Sequence, residues 1–169
     1  MKSLLIGVFT LVSFTLNAQQ VMPQPAEVIT KLFVSTDQQN WSEVSSCFAD
    51  QVVLDYTSMS GQPAATLSPN EIISAWKGIL TGFEQTHHQA GNFIISQEGD
   101  QAQVFCYGTA THFLPDGAGN VWTVVGSYDF TLAQTAQGTW QINQMKFNFK
   151  YQDGNTSLPA KARQRASQK

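Results

Sequence analysis

The chain has 169 residues, 42% of them hydrophobic and 12% charged, which is the length of one domain with enough apolar side chains to bury a core. Lys2 aside, four of the basic residues follow Pro159, so the body of the chain sets four cations against twelve acids, a formal charge of about minus eight. Nucleic-acid affinity is built on Lys and Arg contacts to phosphate, so an acidic body without a basic stripe excludes that class of partner.

Lys2, the apolar run from Leu4 to Val12 and the small residue Ala18 ahead of Gln19 follow the order of an export signal. Residues 1–18 are thus predicted to be a signal peptide cleaved after Ala18, giving a secreted or periplasmic protein. The run is too short to cross a bilayer comfortably and no later one is long enough, so no membrane partner is expected after cleavage.

From Pro25, Val28, Ile29, Leu32 and Phe33 recur at helical spacing up to Asp37, and Trp41, Val44 and Phe48 continue in a second short helix. Asp37 falls one turn after Phe33, close to the buried face. Val52 to Tyr56 is β-branched and aromatic and predicts a strand, followed by a loop through Gly61 and Pro63. Ser68, Pro69 and Glu71 then supply an N-cap, a proline at the first helical position and a capping-box acid. Ile72, Ile73, Trp76, Ile79, Leu80 and Phe83 form the apolar stripe of that helix.

Beyond Phe83 the pattern alternates, and turns at 98–100, 115–120 and 137–138 divide it into long strands near residues 86–97, 101–114, 121–134 and 139–151. Helices first and antiparallel strands after predict an α+β fold, a curved sheet with helices on one face. The domain is expected over residues 19–155, and the polar stretch 156–169, which lacks an apolar period, is expected to be disordered. On the strand at 121–134, Trp122, Val124, Tyr128, Phe130 and Leu132 share one face and Val125, Ser127 and Asp129 the other. If the helices cover the Ser127 face, the aromatic face is left outside, and a homodimer through that outer face is the simplest way to bury it. Cys47 and Cys106 read equally as a disulfide or as two buried thiols.

The chain has no nucleotide-binding glycine pattern, no nucleophile elbow and no paired-cysteine metal motif. The polar candidates are Asp37, Asp55, Tyr56, His87, His88, His112, Ser127 and Asp129. His88 and His112 fall on neighbouring antiparallel strands that could bring both imidazoles to one cavity, and Cys106, Gly108 and Ala110 leave space on the face of His112. Imidazole suits proton transfer near neutral pH, and a carboxylate such as Asp37 or Asp129 could hold one tautomer. Structural histidines with satisfied hydrogen bonds would read the same way. His87 and His88 point to opposite faces and do not easily share a zinc ion, and neither metal nor cofactor is expected.

The run from Asp37 through Trp41 to Phe48 and Asp50, then Val53 to Tyr56, Thr86 to Gly91, Thr111-His112, Gly138 to Trp140 and Asn148 to Lys150 resembles a SnoaL-like domain of the nuclear transport factor two-like superfamily, from about Pro25 to Asn155. Among its enzymes the chain is most similar to scytalone dehydratase. The resemblance implies a cone-shaped α+β barrel with a curved, mostly antiparallel sheet wrapped around three N-terminal helices and a pocket inside. It also implies that Asp37 pairs with His112, that His88 is the second pocket histidine, that Tyr56 polarises a carbonyl, and that Ser127 lies in the pocket. Thr36 replaces a second tyrosine and Asp129 an asparagine, where an acid could serve as an alternate base. The implied function is a cofactor-free dehydratase or isomerase on a small apolar or aromatic carbonyl compound, with His88 taking a proton and an Asp37-oriented His112 returning one. Many members of this superfamily have no activity, so a ligand-binding or dimeric interaction module is the alternative.

Overall fold

The computed structural model describes residues 24–168, and the predicted signal peptide lies outside them. In chain order the elements are α1 (Pro25–Asp37), α2 (Trp41–Ser46), β1 (Phe48–Asp55), α3 (Thr57–Ser60), β2 (Ala65–Leu67), α4 (Pro69–Leu80), β3 (Gln85–Glu98), β4 (Gln101–Phe113), β5 (Val121–Gln134), β6 (Trp140–Gly154) and α5 (Leu158–Ala166). The six strands form one curved sheet in the order β2-β1-β6-β5-β4-β3, with β1 parallel to β6 and the other neighbours antiparallel. The architecture is the expected cone-shaped α+β barrel, left open between its two edge strands.

Local sequence explains the helix starts. Glu71 N–H bonds the Ser68 hydroxyl while the Glu71 carboxylate accepts the Ser68 N–H at 2.8 Å, so both orphan donors at the start of α4 are satisfied. Pro69 and Pro25 occupy first-turn positions that need no N–H. Two short pieces escape the periodicity: β1 starts earlier than expected, at Phe48, and α3 is a single turn begun by Asp55, whose Oδ1 accepts the Thr57 N–H at 2.9 Å.

The helices cover the aromatic face of β5, not the Ser127 face. Phe33 of α1 packs on Tyr128 and Phe130 with ring centroids 5.2 and 6.3 Å apart. Ile29, Leu32, Val44, Ile72, Phe130, Leu132, Ile142 and Met145 complete a core closed to solvent. The choice follows from burial: sealing five large apolar side chains under the helices removes far more apolar surface from water than sealing Val125, Ser127 and Asp129, and it avoids desolvating a carboxylate. The outward face of the sheet is therefore the one that carries Ser127 and Asp129.

The tail expected to lack structure is helical. Leu158 and Ala162 of α5 are fully buried, Lys161 pairs with Asp116, and Arg165 Nη1 lies 3.3 Å from Glu84 Oε1. Two small apolar anchors and two ion pairs are enough to dock a helix whose own sequence shows no strong stripe. Gly82, just beyond α4, permits the approach, because a Cβ there would stand 1.9 Å from the Ala162 carbonyl oxygen. Gly82→Ala is expected to cost about 1–3 kcal/mol by overpacking and to loosen α5 selectively. Thermal denaturation and amide hydrogen exchange over residues 158–166 check this, and unchanged protection there would contradict it.

Candidate functional site

Asp37 ends α1 and faces the free edge of β3. Strand β3 is an edge strand, so alternate backbone N–H groups along it lack a ladder partner. Asp37 Oδ2 accepts one of these, the His88 N–H, at 2.7 Å, and Oδ1 accepts the Thr86 hydroxyl at 2.8 Å. His88 Nδ1 lies 2.6 Å from the same Oδ1, so the ring donates its Nδ1 proton to the carboxylate and leaves Nε2 with a lone pair. Phe33, one turn before Asp37, stacks on the His88 ring at 5.8 Å and 5°. Burial pulls the Asp37 pKa up, but the bonds from the His88 ring and backbone, the His88 charge and the Thr86 hydroxyl outweigh it and hold the carboxyl below its usual value.

Strand register brings the second histidine to this point. His88 pairs across the ladder with Ala110, and Thr86 with His112, so both imidazoles project from one face of the sheet. Their centroids are 5.5 Å apart with the rings perpendicular. His112 is buried between Phe83 and Trp122, and its Nδ1 donates to the Trp122 carbonyl at 3.3 Å. Burial, followed by the neighbouring His88, pushes its pKa down to about 4, against smaller opposing effects of the Trp122 carbonyl and Asp37. At neutral pH His112 is thus an uncharged ring whose Nε2 is an acceptor.

The two histidines form part of the wall of a cavity of about 480 Å³ that is mostly apolar. Trp76 and Ile79 of α4, expected in the sealed core, instead line this space, as does Ala110. Ala110 confirms the small-residue face read on β4, although the room beside Gly108 is taken by Tyr128, whose ring stands 2.3 Å from where a Cβ would be. Tyr56 and Tyr128 both line the cavity and both pack on Phe147, at 5.8 and 4.8 Å. Burial raises both phenol pKa values, so both remain protonated hydrogen-bond donors.

Several expected positions are corrected. Asp37 pairs with His88 and not with His112, because the end of α1 meets the edge strand β3 rather than the interior strand β4. Ser127 and Asp129 are outside the cavity: β5 pairs with β4 without a register break, so strict alternation sends both side chains to the outer face. Asp129 is exposed and accepts the Asn148 Nδ2 at 2.7 Å. His87 is exposed on that same outer side, pointing away from His88. Thr36 lines the cavity in place of a phenol, with its hydroxyl donated to the Leu32 carbonyl at 2.7 Å. Tyr128, expected on a partner-facing stripe, instead supplies a second phenol to the cavity, its ring and that of Tyr56 both packing on Phe147. Cys47 and Cys106 are buried free thiols in this structure.

A curved sheet closed by helices around an apolar cavity, with an Asp-His pair at its wall, defines a pocket protein of the nuclear transport factor two-like type. The chain belongs to the SnoaL-like domain family, whose model matches residues 26–146. Solved structures agree on the fold. A Kribbella flavida protein aligns with a TM-score of 0.74 at 24% identity, over 80% of this chain and 94% of that one. A scytalone-dehydratase-like protein from Novosphingobium aromaticivorans aligns with a TM-score of 0.66 at 18% identity, over 77% and 84%. A hexachlorocyclohexane dehydrochlorinase from Novosphingobium barchaimii aligns with a TM-score of 0.64 at 10% identity, over 78% and 87%. No curated protein matches the chain.

The depressed His112 pKa ties stability to pH. Between about pH 6.5 and about 4 the unfolded chain binds a proton at His112 that the folded chain refuses, so stability falls as pH drops through that window, by on the order of 3 kcal/mol in total. Asp37, with its pKa lowered, adds loss in the same direction further into acid, as its carboxylate protonates. Urea denaturation at several pH values is expected to show this slope in the wild type and a shallower one, by about one bound proton, in His112→Gln.

Proposed function

We propose that this protein is an exported lyase or isomerase that acts on a small apolar or aromatic carbonyl compound using only its own side chains. The observation that carries this reading is the Asp37–His88 pair set beside an uncharged His112 at the wall of an apolar cavity. A carboxylate on Nδ1 fixes the His88 tautomer that exposes Nε2 as a base and stabilises the imidazolium formed when it takes a proton. Pairing of this kind is repeated nowhere else among the described residues, where the other ion pairs join exposed Lys or Arg to acids at the surface.

In the dehydratase form of the reaction, His88 Nε2 removes the proton next to the substrate carbonyl. Tyr56 and Tyr128, which both line the mostly apolar cavity, donate to the carbonyl oxygen as negative charge builds on it. The C–O bond to the β-hydroxyl then breaks, the His88 imidazolium returns its proton to the departing oxygen, and a conjugated alkene and water result. His112 holds the substrate hydroxyl through Nε2 and shares in positioning rather than in proton delivery, because its ring is uncharged at neutral pH. An isomerase follows if His88 returns the proton to carbon. The same reading takes the mature protein as a homodimer through the outer sheet face, where Tyr107 and Tyr151 are exposed.

The test is turnover of a panel of small β-hydroxy carbonyl compounds, followed by the absorbance of the conjugated product. His88→Ala is expected to lose about a hundredfold or more in kcat, Asp37→Asn about tenfold to a hundredfold, and Tyr128→Phe about tenfold, with the fold retained. Ligand binding without turnover at any pH would replace this reading with that of a ligand carrier.

A further inference from the structure

The cavity's lining contains no Asp, Glu or Lys, and its one permanent charge is the guanidinium of Arg163 on α5. In a chain with a formal net charge of −3, that is the reverse of what the surroundings supply. The three cations of α5 also differ in what they do. Lys161 and Arg165, one helical turn apart, are committed to Asp116 and Glu84 and dock the helix. Arg163, midway between them, projects from a different side of the helix, and no hydrogen bond or ion pair joins its guanidinium to another described residue. Two of the cations therefore fix the helix, and the third is delivered unpaired to the cavity, where it is exposed at the rim.

The rest of the lining sets what such a cation can meet. Trp76 and Ile79 of α4 adjoin α5 and are apolar, while the groups that handle protons and oxygen atoms are His88, His112, Tyr56 and Tyr128. A ligand that satisfies the whole cavity has an apolar body, an oxygen function for the histidines and phenols, and an anionic group for the guanidinium. The planar five-donor fork of Arg matches the two oxygens of a carboxylate, which a Lys ammonium does not. We infer that Arg163 anchors the anionic end of the ligand and that the cavity selects small apolar compounds carrying a carboxylate over their neutral counterparts. The inference rests on the cavity being the ligand site and is independent of whether His88 performs catalysis there.

The experiment compares 2-naphthoate with 2-naphthamide, two probes of nearly equal shape that differ in charge, by calorimetry and by the fluorescence of Trp76 and Trp122 at low ionic strength. Wild type is expected to bind the carboxylate about tenfold more tightly than the amide, a modest figure because the guanidinium is partly exposed to solvent. Arg163→Gln is expected to abolish that preference while leaving amide affinity and thermal stability unchanged, and Arg163→Lys to restore only part of it. Raising the salt concentration is expected to narrow the preference in wild type alone. The inference is overturned if wild type binds neither probe, if it prefers the amide, or if Arg163→Gln keeps the wild-type ratio. His88→Ala separates the two proposals: it is expected to keep the carboxylate preference, so loss of turnover with an intact ratio bears on the catalytic reading and not on Arg163.

Discussion

A single carboxylate ties the end of α1 to the free edge of the sheet. The edge of β3 presents backbone donors with no strand beyond it, and an uncovered edge invites pairing with another chain. Asp37, at the end of α1, accepts the His88 N–H, the His88 ring N–H and the Thr86 hydroxyl together. One side chain therefore closes part of the edge, ties the end of α1 to β3 and selects the His88 tautomer. The bonds that satisfy the edge are also those that leave Nε2 free toward the cavity.

The second histidine gains its character from the opposite circumstance. His112 is on an interior strand, between Phe83 and Trp122, with a carbonyl as its hydrogen-bond partner instead of a carboxylate. Desolvation without a compensating negative charge favours the uncharged ring, whereas His88, a few ångströms away, has a carboxylate ready to balance a proton. Two identical side chains on adjacent strands are in this way given different electrostatic surroundings by what stands behind each ring.

The cavity exists because the helices do not fill the cone. Trp76 and Ile79 approach without reaching the small face of β4, and Tyr128 folds into the room left by Gly108 so that its phenol joins that of Tyr56. Helix α5 completes the enclosure from the C-terminal end, held by Leu158 and Ala162 and by the close approach that Gly82 allows.

Much of this was legible in the residues alone. The change from helical to alternating periodicity after Phe83 determines the α+β order and the four long strands, because side-chain period is a local property of the backbone. The capping box at Ser68 and Glu71 determines the start of α4 for the same reason, and the placement of His88 and His112 on neighbouring antiparallel strands made a common cavity legible, although the register that puts both on one face is tertiary. Alternation along β5 separates Trp122 from Ser127 without saying which face the helices cover, and the apolar burial that favours the Trp122 face is realised only when helices and sheet pack. That choice belongs to the tertiary structure, and it moved Ser127 and Asp129 out of the pocket and Tyr128 into it. The partner of Asp37 was likewise decided by which strand is at the edge, a matter of strand order and not of sequence spacing. Helix α5 and Arg163 were illegible because a polar segment with two small anchors shows no period of its own and becomes helical only against Gly82, Asp116 and Glu84, residues distant in the chain.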